Sequence, residues 1–305
     1  MPAISVDGLG KTFDSTVALE GLSFEVEEGE VFGFLGPNGA GKSTTINVLL
    51  DFVRPTAGQA LVFGLDTHDS SREIRRRTGV LPEGFETYGR LTGRKHLEFA
   101  IESKGADDEP DRLLERVGIA EAADRKAGGY SKGMSQRLML AMALVGEPDL
   151  LILDEPSTGL DPNGAREMRE IVREENERGA TVFFSSHILG QVEAVCDRVG
   201  ILREGEMVAV DTVSGLRESV SGGTTLRVTV DRIDEAAVDA VRSMTDVASV
   251  TVEDGPEPTL SVTCDGSKSA VLDELEDRGL EVRDFSTEEA SLEDVFQSYT
   301  TEASV

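Results

Sequence analysis

The segment GPNGAGKST, residues 36–44, constrains the fold most. It lies between an apolar run, VFGFL, and a helical pattern, TTINVLL. It fits G-x-x-x-x-G-K-[ST], the phosphate-binding loop (P-loop) that joins a strand to a helix. Its glycines let backbone N–H groups turn toward phosphate oxygens, and the helix N-terminus adds a favourable dipole. A chance glycine-rich turn is the alternative, which the length of the match and its strand–helix context disfavour.

The P-loop predicts a nucleotide site. Lys42 is predicted to contact the β- and γ-phosphates, and Ser43 to bind Mg²⁺. The whole motif is assigned to nucleotide binding, namely Gly36, Pro37, Asn38, Gly39, Ala40, Gly41, Lys42, Ser43 and Thr44.

A second apolar run, LLILDEP at residues 150–156, predicts a buried parallel strand. Such a strand brings Asp154 to the carboxyl edge of the sheet, beside the P-loop. Asp154 is expected to hold Mg²⁺, partly through water, and Glu155 to act as the general base toward the attacking water. Two solvated carboxylates are the alternative. These two motifs together predict nucleoside triphosphate hydrolysis. They do not identify the class of P-loop protein, because P-loop kinases and GTPases share these groups.

The segment YSKGMSQRL, residues 130–138, resembles the signature sequence of the ATP-binding cassette (ABC) family, usually written LSGGQ. Ser131 and Gly133 match its most characteristic positions, and Lys132 stands where the family often has glycine. The resemblance implies that this motif contacts the γ-phosphate of ATP held on the P-loop of a partner subunit. A helix N-cap by Ser131 without a ligand is the alternative.

Other motifs of the ABC family follow in order. The resemblance implies that His187 in SSHI contacts the γ-phosphate and positions Glu155 and water. It also implies that Asp161 in STGLDP lies in the loop that crosses to the partner. Phe13 in GKTF matches the aromatic that stacks on adenine, with a core position as the alternative, and Val17 is assigned to the same nucleotide site.

The chain departs from the family pattern in the loop GVLPEG, residues 79–84, where Glu83 replaces the usual glutamine. In the family this loop senses Mg²⁺ and water and contacts the transport partner. A carboxylate also binds Mg²⁺ or its water, so Glu83 is assigned to the metal site.

Strand-like runs that alternate with helical patterns predict an α/β domain with a largely parallel sheet, preceded by antiparallel strands. The predicted fold class is a P-loop ABC ATPase cassette at residues 1–214, with an inserted helical subdomain at about 87–147. A polar linker is expected at 215–223. Residues 224–305 predict a small α+β domain with the ferredoxin-like order βαββαβ.

A last amphipathic helix is predicted at residues 291–300, within the ending ASLEDVFQSYT. This ending is similar to the C-terminal module of ABC-2 type exporter ATPases, including daunorubicin-resistance-like ATPases.

The formal net charge is −28, which argues against a general nucleic-acid binder because phosphates would be repelled. The acidic residues are spread along the chain, as in proteins adapted to molar intracellular salt, and a haloarchaeal source is therefore expected. An ordinarily acidic protein is the alternative. The two cysteines lie far apart, so neither a disulfide framework nor a zinc site is expected.

The sequence therefore predicts the ATP-hydrolysing subunit of an ABC transporter for export, with ATP and Mg²⁺. The expected partners are a second ATPase subunit and an integral membrane permease on a separate chain. With no secretion signal and no apolar run of about 18 residues, the chain is expected in the cytoplasm, on the inner face of the cell membrane.

Two alternatives stay open. A soluble ABC ATPase acting on nucleic acid or ribosomes is disfavoured by the charge and by the lack of a long coiled coil or a second cassette. A binding protein with a dead ATP site is disfavoured by the intact Lys42, Asp154, Glu155 and His187.

Overall fold

The computed structural model describes residues 1–288 except 85, 221–223, 254, 256, 265 and 266, and it also describes Phe296. The chain divides into two compact units, Met1–Thr212 and Val213–Val305.

The first unit contains most of the regular structure. Its strands are β1 Pro2–Phe13, β2 Thr16–Glu27, β3 Val31–Leu35, β4 Ala57–Val62, β5 Leu65–Asp66, β6 Thr78–Leu81, β7 Leu150–Asp154, β8 Thr181–Ser186, β9 Arg198–Arg203 and β10 Glu206–Thr212. Its helices are α1 Lys42–Leu49, α2 Ser71–Arg77, α3 Gly93–Lys104, α4 Pro110–Arg116, α5 Lys132–Leu144, α6 Pro162–Glu177 and α7 Leu189–Glu193.

Two sheets form the core of this unit. One is antiparallel, in the order β2-β1-β4-β5, and the other has the order β10-β9-β3-β8-β7-β6 with parallel pairing from β9 to β6. Phe24 of β2 packs against Phe32, Phe34 and Phe183 of the second sheet, with ring centroids 5.5–6.1 Å apart. The predicted parallel sheet and the antiparallel N-terminal strands are both confirmed, since fully apolar strands such as β3 are buried on both faces.

The chain between β6 and β7 is mainly helical in its described part, with α3, α4, α5 and two short 3₁₀ turns. Thr92 caps α3 by accepting a hydrogen bond from the Lys95 N–H at 3.2 Å. Gly79 of β6 lets α5 approach closely, because a Cβ there would lie 2.0 Å from the Ala143 carbonyl oxygen. The signature helix thus packs directly on the sheet.

The second unit begins with α8 Val213–Val220 and continues as β11 Thr224–Val230, α9 Glu235–Arg242, β12 Val247–Glu253, β13 Thr259–Cys264, α10 Lys268–Asp277 and β14 Val282–Glu288. The sheet order is β12-β13-β11-β14 and every pairing is antiparallel. Leu226, Val228 and Val230 alternate along β11 into the core. The predicted order βαββαβ is confirmed, and the sheet order is ferredoxin-like.

The structure differs from the predicted linker. Residues 215–220 belong to α8, and Leu216 is buried. The polar composition of this stretch did not indicate a helix, although Leu216 packs into the interior. Residues 221–223 and the predicted helix at 291–300, apart from Phe296, lie outside the described residues. In the described part of the chain, every helix is too short or too polar to cross a bilayer.

Candidate active site

The ends of three neighbouring parallel strands bring the sequence motifs together. β8 lies between β3 and β7, with Leu35 paired to Ser186 and Asp154 paired to Ser185. The P-loop follows β3, Asp154 ends β7, and His187 follows β8. Because parallel strands end at the same edge, these groups converge there.

The P-loop has the backbone conformation that its glycines permit. Gly39 and Gly41 have φ angles of 84° and 110°, which L-residues rarely adopt. A Cβ at Gly36 would lie 2.7 Å from the Leu202 carbonyl oxygen. Pro37, Asn38 and Gly39 are exposed, whereas Ala40 is buried.

Helix α1 begins directly after the loop, at Lys42. Ser43 in its first turn is exposed and Thr44 is partly exposed. The N–H groups of this first turn and the Ser43 hydroxyl are therefore available to phosphate and to a phosphate-bound cation.

Lys42 is buried, and its Nζ donates to the Gly36 carbonyl at 2.6 Å. Burial lowers the pKa of Lys42 below its ordinary value, and the nearby Glu155, Asp154 and Glu83 act in the opposite direction. The ammonium group therefore lies close to both carboxylates of the β7 end and to the carboxylate that replaces the family's glutamine.

Asp154 and Glu155 are both buried, each with a serine partner from β8. The Ser185 hydroxyl donates to Asp154 Oδ1 at 2.6 Å, and the Ser186 hydroxyl lies 3.5 Å from Glu155 Oε2. His187 Nδ1 lies within hydrogen-bond distance of Glu155 Oε1, at 2.8 Å. The Glu155 carboxylate is thus held from two sides while His187 remains half-exposed.

The available donors suit Mg²⁺ bound together with phosphate. The Ser43 hydroxyl and the Asp154 carboxylate are oxygen ligands, which Mg²⁺ prefers. Among the described residues, no group of three or more His, Cys, Asp or Glu side chains could hold a metal ion alone.

Glu83 is exposed and lines a cavity of about 690 Å³ together with Glu155 and Lys132. Its carboxylate faces the same space as the candidate general base.

The signature residues lie at the start of α5. Ser131 caps this helix, accepting from the Met134 N–H at 3.2 Å, and is exposed, while Gly133 is half-buried. Asp161 caps α6 by accepting from the Gly164 N–H at 2.8 Å. Among the described residues no hydrogen bond joins Ser131 or Asp161 to the P-loop of the same chain.

Phe13 and Val17 flank the tip of the β1–β2 hairpin. Their exposed fractions are 44% and 53%, and Lys11 Nζ lies 4.7 Å from the centroid of the Phe13 ring. An aromatic ring this exposed is not a core residue and is free to stack on a base.

Three further residues at this site were not predicted. Ser185 and Ser186 hold the two carboxylates, and Gln136 of α5 contacts the chain after Glu155. The serine pair in FFSSH was a possible signal, since polar residues that end an apolar parallel strand face the same edge as Asp154.

Comparison with known proteins finds a family match in each of the two units. The ABC transporter family model matches residues 19–158, and the model described as ATP-binding protein DrrA1-3-like, C-terminal domain, matches residues 212–300. The daunorubicin/doxorubicin resistance ATP-binding protein DrrA of Streptomyces peucetius is 36% identical over 306 residues, covering 98% of this chain and 92% of that protein. The linearmycin resistance ATP-binding protein LnrL of Bacillus subtilis (strain 168) is 36% identical over 256 residues, 82% of each chain.

Solved structures show the same cassette. An ATP-binding subunit of an ABC transporter superposes with a TM-score of 0.66 at 32% identity, covering 71% of this chain and 92% of that one. A dimeric bacterial ABC transporter cassette gives a TM-score of 0.64 at 26% identity, covering 68% of this chain and 98% of that one.

Proposed function

The chain belongs to the ATP-binding subunits of the ABC transporter family and is an ATPase, and from this premise we propose that Glu155 is its general base. The main observation in support of this proposal is the position of the Glu155 carboxylate. It is buried, its Oε1 lies 2.8 Å from His187 Nδ1, and it lies beside Asp154 and Lys42. Such a carboxylate is placed to accept a proton from water that attacks the γ-phosphate.

The other residues of the site take distinct roles in this proposal. The loop from Gly36 to Thr44 cradles the phosphates, with Lys42 on the β- and γ-phosphates. Ser43 and Asp154 would hold Mg²⁺, which when bound neutralises charge on the phosphate oxygens, and Glu83 would hold one of its waters. Phe13 and Val17 contact the adenine, and His187 orients Glu155 and the γ-phosphate.

We further propose that ATP is hydrolysed between two subunits. Ser131, Gly133 and Asp161 are presented at the ends of α5 and α6, away from hydrogen bonds to their own P-loop among the described residues. The helix N-terminus at Ser131 suits the γ-phosphate of a nucleotide on a partner chain. A dimeric cassette among the structural relatives supports this arrangement. The partner is a second copy or a sister ATPase.

The export role is proposed from the relatives, which are named for drug, linearmycin and bacitracin resistance or transport. In this proposal ATP hydrolysis drives a permease on a separate chain, and the protein works in the cytoplasm on the inner face of the membrane. The helical segment, with the loop at Glu83, is proposed to face the permease, and this segment lines a charged cleft of about 1390 Å³ together with α2. Within the described part of the chain, Arg72 and Arg76 in this cleft form no ion pair and are free to meet acidic groups.

The net charge of −28 supports adaptation to high intracellular salt and hence a haloarchaeal source. The adaptation to high salt is tested by measuring how the melting temperature depends on salt concentration.

Glu155→Gln tests the proposed base. The amide keeps the shape of the side chain but takes no proton, so ATP binding should persist and turnover should fall by about 100-fold or more. The variant should accumulate as an ATP-bound dimer on a sizing column. Glu28→Gln, an exposed change of the same kind, should hydrolyse ATP like the wild type. Near-normal turnover by Glu155→Gln would remove Glu155 from this role.

A further inference from the structure

The first two turns of α5 contact the loop that follows β7. Gln136 Nε2 donates to the Pro156 carbonyl at 2.9 Å and lies 3.5 Å from the Glu155 carbonyl. Gly133 approaches the same loop, since a Cβ there would lie 3.2 Å from the Gly159 carbonyl oxygen. The helix that begins with the signature motif therefore touches the chain immediately after Glu155.

Glu155 needs such support because its backbone is strained. Its φ angle is +48°, a region that non-glycine residues avoid, and it precedes a proline, which restricts its conformation further. Strained residues of this kind persist only where the surrounding contacts fix them. The Glu155 N–H donates to the Ser185 carbonyl at 3.1 Å, and the Thr158 N–H donates to the Glu155 carbonyl at 3.1 Å. Gln136 holds the next carbonyl along, that of Pro156.

We propose that Gln136 is a positioning residue for Glu155. Its amide donates to the Pro156 carbonyl and lies near the Glu155 carbonyl, and so restricts the direction in which the carboxylate points. This inference rests on the proposed function, in which Glu155 is the general base. In this proposal α5 has two roles. Its N-terminal end contacts the ATP bound to the partner chain, and Gln136 positions the general base that acts on the ATP bound to the same chain as Gln136.

A merely structural role for Gln136 is the competing explanation, and the next residue offers a matched control. Arg137 also anchors α5, but its guanidinium donates to the Val117 carbonyl at 2.9 Å and pairs with Glu167 at 2.6 Å. Arg137→Met therefore removes an anchor of the same helix whose hydrogen-bond and ion-pair partners, Val117 and Glu167, lie outside the chain around Glu155. If Gln136 only anchors α5, the two positions should behave alike.

Single variants give the first readout. Gln136→Met removes the donor, and Gln136→Glu places an acceptor against the Pro156 carbonyl. Both should lower kcat about tenfold, because a small displacement of a catalytic group is costly. The KM for ATP should stay within about twofold, since Gln136 does not contact the P-loop among the described residues. Arg137→Met should lower the melting temperature and leave kcat of the folded protein near the wild-type value.

Mixed dimers, isolated with two different affinity tags, give the decisive readout. In the first, a Gln136→Met chain is paired with a Glu155→Gln chain, so the intact Glu155 lies on the chain that lacks Gln136. In the second, a wild-type chain is paired with a chain carrying both changes, so the intact Glu155 lies beside an intact Gln136. Positioning within one chain predicts about tenfold slower hydrolysis by the first dimer than by the second.

The remaining outcomes overturn the inference. A slower second dimer would mean that Gln136 acts on the partner's nucleotide through the signature, and equal rates would mean that it has no positioning role. Failure of the proposed function is a separate result: it would appear as turnover by the Glu155→Gln protein alone. Loss of turnover in Glu155→Gln with normal kcat in both Gln136 variants would contradict only the role of Gln136.

Discussion

At the scale of single residues, Lys42 shows how burial and charge compete in this site. Burial lowers its pKa, while Glu155, Asp154 and Glu83 favour the charged form. Bound phosphate would add negative charge next to the ammonium group and would therefore raise the pKa of Lys42. The protonation of this residue and the binding of nucleotide are thus linked.

This linkage predicts proton uptake on ATP binding in alkaline solution. The lowered pKa means that free Lys42 loses its proton at a lower pH than an ordinary lysine, and phosphate restores it. Between the lowered and the raised pKa, binding should take up a proton and weaken as pH rises. Calorimetry of ATP binding in two buffers of different ionisation enthalpy measures the uptake. The control is the same titration at lower pH, because the fraction of free Lys42 that lacks its proton falls as the pH falls. Equal heats in both buffers at alkaline pH would contradict the prediction.

Local residue patterns predicted much of this site, because Lys42, Asp154, Glu155 and His187 each follow a recognisable strand. Their convergence follows from the parallel sheet alone. The Gln136–Pro156 hydrogen bond was not predictable in this way, because it depends on how closely α5 packs, and Gly79 permits that packing.

At the scale of elements, α6 joins the sheet to the helical segment through one buried carboxylate. Glu175 pairs with Arg116 of α4 at 2.6 Å and with Arg178 at 2.7 Å, and its side chain is 3% exposed. Arg178 also donates to the carbonyl of Pro148, two residues before β7, at 2.8 Å. Glu174 pairs with the same Arg116 at 3.0 Å but is 59% exposed.

Adjacent glutamates therefore provide a matched pair of variants. Glu175→Gln should lower the free energy of unfolding by about 2–3 kcal/mol, because it leaves two arginines without their buried partner. The loss is expected below that of a fully buried pair because water reaches both arginines, each 32% exposed. Glu174→Gln should cost less than about 1 kcal/mol, as exposed pairs do. Urea denaturation measures both, and equal losses would show that burial of Glu175 does not matter.

Elements were predictable where an apolar period is strong and local. The runs that became β3, β7 and β8 and the order of the C-terminal unit are of this kind. Residues 215–220 were not, because a short, mostly polar stretch that begins with a glycine resembles a linker in its composition.

At the scale of the whole molecule, the charge is the dominant property. The chain has 58 acidic and 30 basic residues, and most of its ion pairs in the described part are at the surface, where they contribute little. Carboxylates without a partner repel one another in dilute buffer, since the screening length is about 30 Å at 0.01 M and about 3 Å at 1 M. Self-repulsion of this kind destabilises the compact state.

The melting temperature should therefore rise from dilute buffer to molar KCl. Screening by salt should matter less in a variant with fewer unpaired carboxylates, so its melting temperature should rise less steeply over the same series. A suitable variant changes four exposed glutamates that form no ion pair among the described residues to glutamine, namely Glu28, Glu121, Glu177 and Glu206. Differential scanning calorimetry at matched protein concentration measures the melting temperatures of both proteins.

A flat or falling melting temperature in the wild type would contradict adaptation to high salt. Equal slopes in the two proteins would mean that salt acts through water and apolar burial, not through charge.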